Sequence, residues 1–342
     1  MSNGNGSGRI ALVLGATGGI GGVMSRELRA AGWTVRALHR RAERRRDSAG
    51  IEWLPGDAME RADVVAAAAG ADLIVHAVNP PGYRRWSELV LPMIDNTIAA
   101  ARECGARIVL PGTVYNYGPE VFDDIRETSP QRPRTAKGAI RVEMESRLRA
   151  AAAEGVRTLV VRAGDFFGPG AANNWFSQGL VRPGKPVTSL AYPGRVGVGH
   201  QWAYLPDVAR TMIALLSREA ELEDFSAWHM EGHWDPDGAT MTSAIARAAG
   251  LERPRVRRFP WWLVRTTAWA VPLFRELQEM RYLWERPLRM GNAKLVAFLG
   301  HEPHTPLDEA VRVTLQGLGC LDGTANGTAD VTGPAAAPRR FA

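Results

Sequence analysis

The chain has 342 residues, enough for one large core or two domains, and its hydrophobic share of 45% with 42 basic against 36 acidic residues is that of an ordinary globular protein. Much of the formal charge of +6 comes from one short run, 40–46, so neither a nucleic-acid partner nor a membrane surface is implied by it. Cys104 and Cys320, far apart and alone, exclude a disulfide framework and a cysteine metal site and fit a reducing cytoplasm.

Residues 1–8 are polar and glycine-rich, with no apolar h-region, and predict a flexible lead. Ile10–Leu14 is a continuous apolar run of strand length, suited to a central parallel strand covered on both faces. Gly15, Gly18 and Gly21 follow at G-x-x-G-x-x-G spacing, with Thr17, Gly19 and Ile20 between them. Gly15 allows a tight turn, Gly18 lets backbone approach a pyrophosphate, and Gly21 lets the next helix pack close to the strand. That helix start offers free N–H groups to an anion. The expectation is dinucleotide binding.

The run GATGGIGG resembles the cofactor loop of the short-chain dehydrogenase/reductase superfamily, in its extended and atypical branches related to NAD-dependent epimerases and dehydratases. The resemblance implies an α/β protein: a Rossmann-type doubly wound parallel sheet with a smaller, mixed C-terminal substrate lobe. The dinucleotide domain is expected over 9–165 with 200–225 packing back on it, the lobe over 166–199 and 226–318, and a disordered tail over 319–342.

A second strand is predicted over 34–38, and at its end dinucleotide folds place the residue that inspects the adenosine ribose. His39 and Arg40 stand there instead of an acid. A guanidinium would hold the 2′-phosphate that a carboxylate repels, so NADP is expected over NAD, with Arg44 to the end of the run read as a solvated helix start. A third strand over 51–54 leads to Asp57 and Ala58, which resemble the segment beside the adenine. A fourth over 73–78 puts His76, Ala77 and Val78 beneath the cofactor, and the proline loop 79–83, with Asn79, lies at the sheet edge where ligands sit. Asn96, on a helix over 91–103, matches the asparagine of the superfamily's active-site tetrad; a mid-helix packing role is the alternative.

The fifth strand, 107–110, runs into PGTVYNYGP, which resembles the family segment ending V-Y-G. Aligning Val114 and Tyr115 on that V-Y puts Pro111 in the usual serine slot, with Thr113 the nearest hydroxyl. Downstream, where the family has Y-x-x-x-K and then a glutamate, Glu145 in the glutamate slot puts Lys137 in the tyrosine slot and Arg141 in the lysine slot. The other register keeps Lys137 as the lysine and puts Pro133 in the tyrosine slot. Neither supplies the phenol that ordinarily moves the proton, so the proton falls to Tyr115, Tyr117, Lys137 or water, or carbonyl chemistry is absent.

A sixth strand, 157–162, precedes AGDFFGPGA, which resembles the extended branch's R-x-x-N-x-x-G-P-G turn with Asp165 in the asparagine position. Phe166, Phe167, Asn173, Asn174 and Trp175 are then candidate substrate walls, ordinary domain-joint packing being the alternative. Tyr117 joins Asn79 as a candidate substrate contact. Asp207 is read as a helix cap. His229, Glu231 and His233 would share a strand face, but the segment resembles the family's strand before a helix, and no metal is expected. The apolar stretch 259–274 is too short and too interrupted to span a membrane. It is read as a buried helix or substrate wall, with peripheral membrane contact the lesser alternative.

The leading expectation is an NADP(H)-dependent oxidoreductase acting on a small or moderately apolar carbonyl-type substrate. Behind it stand an epimerase or dehydratase, of sugar nucleotides for example, and a non-catalytic dinucleotide sensor. A homodimer is left open.

Overall fold

The computed structural model describes residues 8–45, 50–80, 86–171, 174–252, 255–267, 269 and 272–321. Nearly all of the expected lead, Arg46, Tyr83, Asn173 and the tail from 322 lie outside them.

The strands β1 (Ile10–Leu14), β2 (Thr34–His39), β3 (Glu52–Pro55), β4 (Leu73–His76), β5 (Arg107–Gly112) and β6 (Thr158–Arg162) pair in parallel. Along β1 the side chains alternate between two cores. Ala11 and Val13 face α1 (Gly19–Ala30), whereas Leu12 and Leu14 face α2 (Arg61–Ala68), α3 (Trp86–Cys104) and α4 (Ala136–Ala153). Being buried on both faces is why the strands read as unbroken apolar runs. The helix predicted over 91–103 starts earlier, at Trp86, with Pro92 inside it.

The remaining elements are β7 (Asp165–Phe167), β8 (Leu190–Tyr192), β9 (His200–Tyr204), α5 (Leu205–Ser217), β10 (Phe225–His229), β11 (His233–Asp235), α6 (Ala239–Ala248), β12 (Val256–Arg258), α7 (Trp261–Thr267), α8 (Pro272–Met280), α9 (Ala293–Leu299) and α10 (Leu307–Gly317). Helix α5 packs on α1, its Val208, Met212 and Leu215 in the same core as Met24 and Leu28. Strand β10 pairs in parallel with β6, giving the order β10-β6-β5-β4-β1-β2-β3. The return to the main sheet therefore runs past residue 225, through a strand expected in the lobe.

Strands β7, β9 and β11 form a second, mixed sheet, and β8 pairs with β12. They share a core of Phe167, Phe176, Trp202, Met241, Trp284 and Leu315 with α6 and α10. Strand order reverses beside β1, so the loops after β1 and β4 diverge and leave a crevice at their carboxyl ends, where open α/β sheets bind ligands.

Candidate active site

A cleft of about 860 Å³ occupies that crevice and runs on between the main sheet and the lobe. Its floor is the glycine loop. Gly15 has φ +89°, and a Cβ there would lie 2.6 Å from the Ala77 carbonyl carbon. At Gly21 a Cβ would come within 2.2 Å of the Gly15 carbonyl oxygen. Both positions are thus closed to any side chain, while a Cβ on Gly18 would meet only the Gly15 oxygen, at 3.3 Å. Helix α1 begins there with no side-chain cap and no acidic residue in its first turn, so its leading N–H groups and positive dipole are left for an anion. A dinucleotide pyrophosphate fits this cradle.

Thr17, Gly19, Ile20, His39, Arg40, Asp57, Ala58, His76, Ala77, Val78 and Asn79 also line the cleft. His39 accepts from the Arg41 N–H through Nδ1, at 3.0 Å, and its Nε2 lies 3.2 Å from Arg45. Burial, then the charge of Arg45, pulls its imidazole below the ordinary value. Arg45 lies over the Trp53 ring and Arg44 near Glu43, while Arg40, 4.0 Å from Asp57, is the guanidinium of this run that lines the cleft. Asp57 closes its own turn by accepting from the Met59 N–H at 3.0 Å. Asn96 does not line the cleft: its amide donates to the Ala58 carbonyl at 3.0 Å, tying α3 to the loop beside the expected adenine.

Across the cleft stand Pro111 near the end of β5, Thr113 just after it, Tyr115 in a short 3-10 turn, and Lys137 and Arg141 on α4. Thr113 Oγ1 accepts from the Tyr115 N–H at 3.3 Å. Thr135 caps α4 by accepting from the Gly138 N–H at 3.0 Å, which places Lys137 in the first turn and Arg141 four residues on, along one face. Pro133 lies outside the helix and outside the cleft lining, so the register anchored on Glu145 is the one that brings both of its basic residues to the cleft. Gly138 permits the approach of α4 to the Tyr115 turn, since a Cβ there would sit 2.3 Å from the Tyr115 carbonyl oxygen.

Tyr117 is not in the cleft. It is fully buried, and its hydroxyl donates to His229 Nε2 at 3.0 Å. Its phenol is raised above its ordinary value by burial. It belongs to a polar cluster under the sheet edge, in which Arg162 reaches both the carboxylate of Glu145 and, at 2.9 Å, His229 Nε2. Asn116 and Gln131 donate to the same carboxylate at 2.9 and 3.2 Å.

The lobe supplies the far wall: Asp165, Phe166, Asn174, Trp175 and Gln178, with Leu277 and Met280 of α8, facing Trp86, Leu89 and Met93 of α3. Phe167 is instead in the lobe core. Asn174 lines the cleft, but its amide holds its own turn, accepting from Ser177 N at 2.8 Å and donating to the Ala171 carbonyl at 3.1 Å. Asp165 accepts from His200 Nε2 at 2.8 Å, and His200 stacks on Trp284 with ring centroids 3.7 Å apart. Sequence reasoning missed Leu277 and Met280, whose i, i+3 spacing on an amphipathic helix was the available signal.

His229 and His233 fall on different sheets, and among the described residues it is Asp207, His233 and His304 that bring ligand-type atoms within 4.8 Å of one another. Asp207 there already accepts from the Thr305 backbone and hydroxyl and from Arg210.

Burial, with Arg141 nearby, pulls the His76 imidazole down to about 3, and burial with Arg162 does the same to His229. Below the ordinary value of 6.5 the unfolded chain takes up protons that the folded one refuses, so stability present above 6.5 is lost as pH falls toward 3. At pH 5 each histidine then contributes about 2 kcal/mol less. Urea midpoints at pH 7 and pH 5 measure this; equal midpoints would contradict burial of the neutral rings.

Residues 11–228 match the model of the NAD dependent epimerase/dehydratase family. The chain belongs to this family. It is an NAD(P)-dependent, epimerase-like enzyme. No curated protein matches it in sequence. Among solved structures it is similar to the UDP-glucose 4-epimerase of Thermus thermophilus in complex with NAD, at 21% identity and TM-score 0.68 over 90% of this chain and 98% of that one. It is also similar to the UDP-N-acetylglucosamine 4-epimerase of Bacillus cereus, at 18% and 0.68 over 92% and 98%. A third is the UDP-glucose 4-epimerase of Bifidobacterium longum in complex with NAD+ and UDP, at 15% and 0.68 over 90% and 97%. The fold expected from the glycine loop, a doubly wound sheet with a smaller mixed lobe, is the fold observed.

Proposed function

We propose that this enzyme binds NADP(H) along the cleft and performs reversible redox chemistry at an oxygen-bearing carbon of a small or moderately apolar substrate. The carrying observation is the convergence of Thr113, Tyr115, Lys137 and Arg141 with an apolar wall at the end of the cleft away from Arg40. The glycine loop and the start of α1 would hold the pyrophosphate, and Arg40 the 2′-phosphate. When bound, the nicotinamide accepts or returns a hydride. Thr113 and Lys137 orient the substrate oxygen, and Lys137 or Tyr115 moves its proton. Residues 9–165 with 200–229 would form the nucleotide part and the rest of the described chain the substrate lobe.

Two reactions share this redox step. Release of the oxidised or reduced product makes a net oxidoreductase, the reading that the sequence favoured. Return of the hydride to the opposite face of the same carbon makes an epimerase, and the family match supports this second reading better. Trp175, Leu277, Met280 and the carboxylate of Asp165 support a substrate less anionic than the UDP sugar found with a structural neighbour.

Incubating the NADP+-loaded enzyme with a panel of secondary alcohols separates these readings. Stoichiometric growth of NADPH absorbance marks an oxidoreductase. Inversion at carbon with a deuterium label retained and no net NADPH marks an epimerase. The absence of both outcomes would overturn redox chemistry on a secondary alcohol as the reaction at this site.

For the cofactor, NADPH binds more tightly than NADH, and Arg40→Ala narrows the gap by about 1 kcal/mol, a modest figure because the side chain is 74% exposed. Fluorescence titration reads it, and equal affinities in the unmodified enzyme would sink the NADP assignment.

A further inference from the structure

Large exposed hydrophobic side chains are few among the described residues, and Val256, Trp262, Leu263 and Trp269 fall in one stretch. Trp262 is 68% and Trp269 88% exposed, unusual for side chains of this size. Between 255 and 275 the sequence contains five arginines and no acid. Arg255, Arg257, Arg258, Arg265 and Arg275 are all exposed, and none forms an ion pair with a described residue.

The arrangement of α7 is two-sided. Trp261 and Val264 turn inward, Val264 only 2% exposed, while Trp262, Leu263 and Arg265 face out. On the inner side Trp261 donates from Nε1 to the Pro193 carbonyl at 2.8 Å. Its ring lies 5.9 Å from that of Trp175 in the cleft wall. The outer aromatic surface is therefore anchored to the apolar end of the cleft.

We propose that α7 and the arginines flanking it dock the enzyme on an anionic lipid bilayer, with Trp262 and Trp269 at the headgroup level and those arginines on lipid phosphates. Tryptophan suits that boundary because its ring is amphipathic, and unopposed arginines are drawn to an anionic leaflet. A second copy of the chain fits less well, because a two-fold contact sets the patch against itself and five guanidinium groups against five. No helix among the described residues is long and apolar enough to cross a membrane, so the contact is peripheral.

The test is co-sedimentation of the full chain with vesicles of phosphatidylcholine alone and of phosphatidylcholine mixed with phosphatidylglycerol. The enzyme binds the mixed vesicles, binds the neutral ones at least about tenfold less, and is released as salt rises. The double variant Trp262→Ala/Trp269→Ala and the charge variant Arg257→Glu/Arg258→Glu each lose about tenfold or more in binding while keeping the parent's urea midpoint. Tryptophan fluorescence shifts to the blue on binding in the parent and much less in the double tryptophan variant. The proposal is overturned if mixed vesicles do not bind, if both variants bind as the parent does, or if Trp262→Ala instead abolishes a concentration-dependent dimer seen by light scattering.

Discussion

Replacing Lys137 with methionine is expected to lower kcat by about 10²- to 10⁴-fold, the range for loss of a positioned proton donor, while NADPH affinity stays within a few-fold of the parent. The side chain is 4% exposed, lies in the first turn of α4, and shares the cleft with Thr113 and Tyr115. Methionine keeps much of its length and apolar stem, so the loss would report the ammonium rather than packing. Tyr115→Phe is the competing measurement. If it removes the activity and Lys137→Met does not, the proton belongs to the phenol at the end of β5. If neither variant slows a reaction once a substrate is in hand, both assignments fail.

The second large effect is on stability. Glu145→Ala should cost about 3 to 5 kcal/mol, because it leaves the Arg162 guanidinium buried without its carboxylate. Arg162 is 1% exposed at its side chain and Glu145 6%, so water cannot replace the lost partner, and Asn116 and Gln131 lose their acceptor as well. Replacing both charges by Leu and Met should recover most of the loss, since a packed apolar pair of similar volume avoids desolvating the ions. Urea unfolding measures each variant. A loss under about 1 kcal/mol for Glu145→Ala would mean that the cluster is hydrated.

The two halves of the molecule differed in how far the sequence disclosed them. The cofactor half was legible because its rules are local: an apolar run of strand length, then glycines at positions where a Cβ would strike the Gly15 or Ala77 backbone. Counting from that loop likewise brought Arg40 to the cleft lining. The catalytic wall was less legible. Whether Lys137 or Pro133 took the tyrosine slot depended on where α4 begins, and that is set by the Thr135 cap. Tyr117 was misplaced because its partner, His229, lies 112 residues on, in a strand whose place beside β6 no local pattern announces. Asn174 lines the cleft, yet its polar atoms are held by Ser177 and Ala171. Composition reveals an amide but not where its hydrogen bonds go.

The close contact of Gly138 with the Tyr115 carbonyl gives the two reacting segments of one wall, the turn after β5 and the start of α4, a common gauge. Their separation is set by main chain touching main chain, so changing the side chains around them would alter what the gap recognises but not how wide it is. Selection for a larger substrate would have to act on the opposite jaw, at Leu277, Met280 and Trp175, where side chains rather than backbone mark the boundary. Specificity in this enzyme can therefore drift along one wall while the spacing needed for chemistry stays constant on the other.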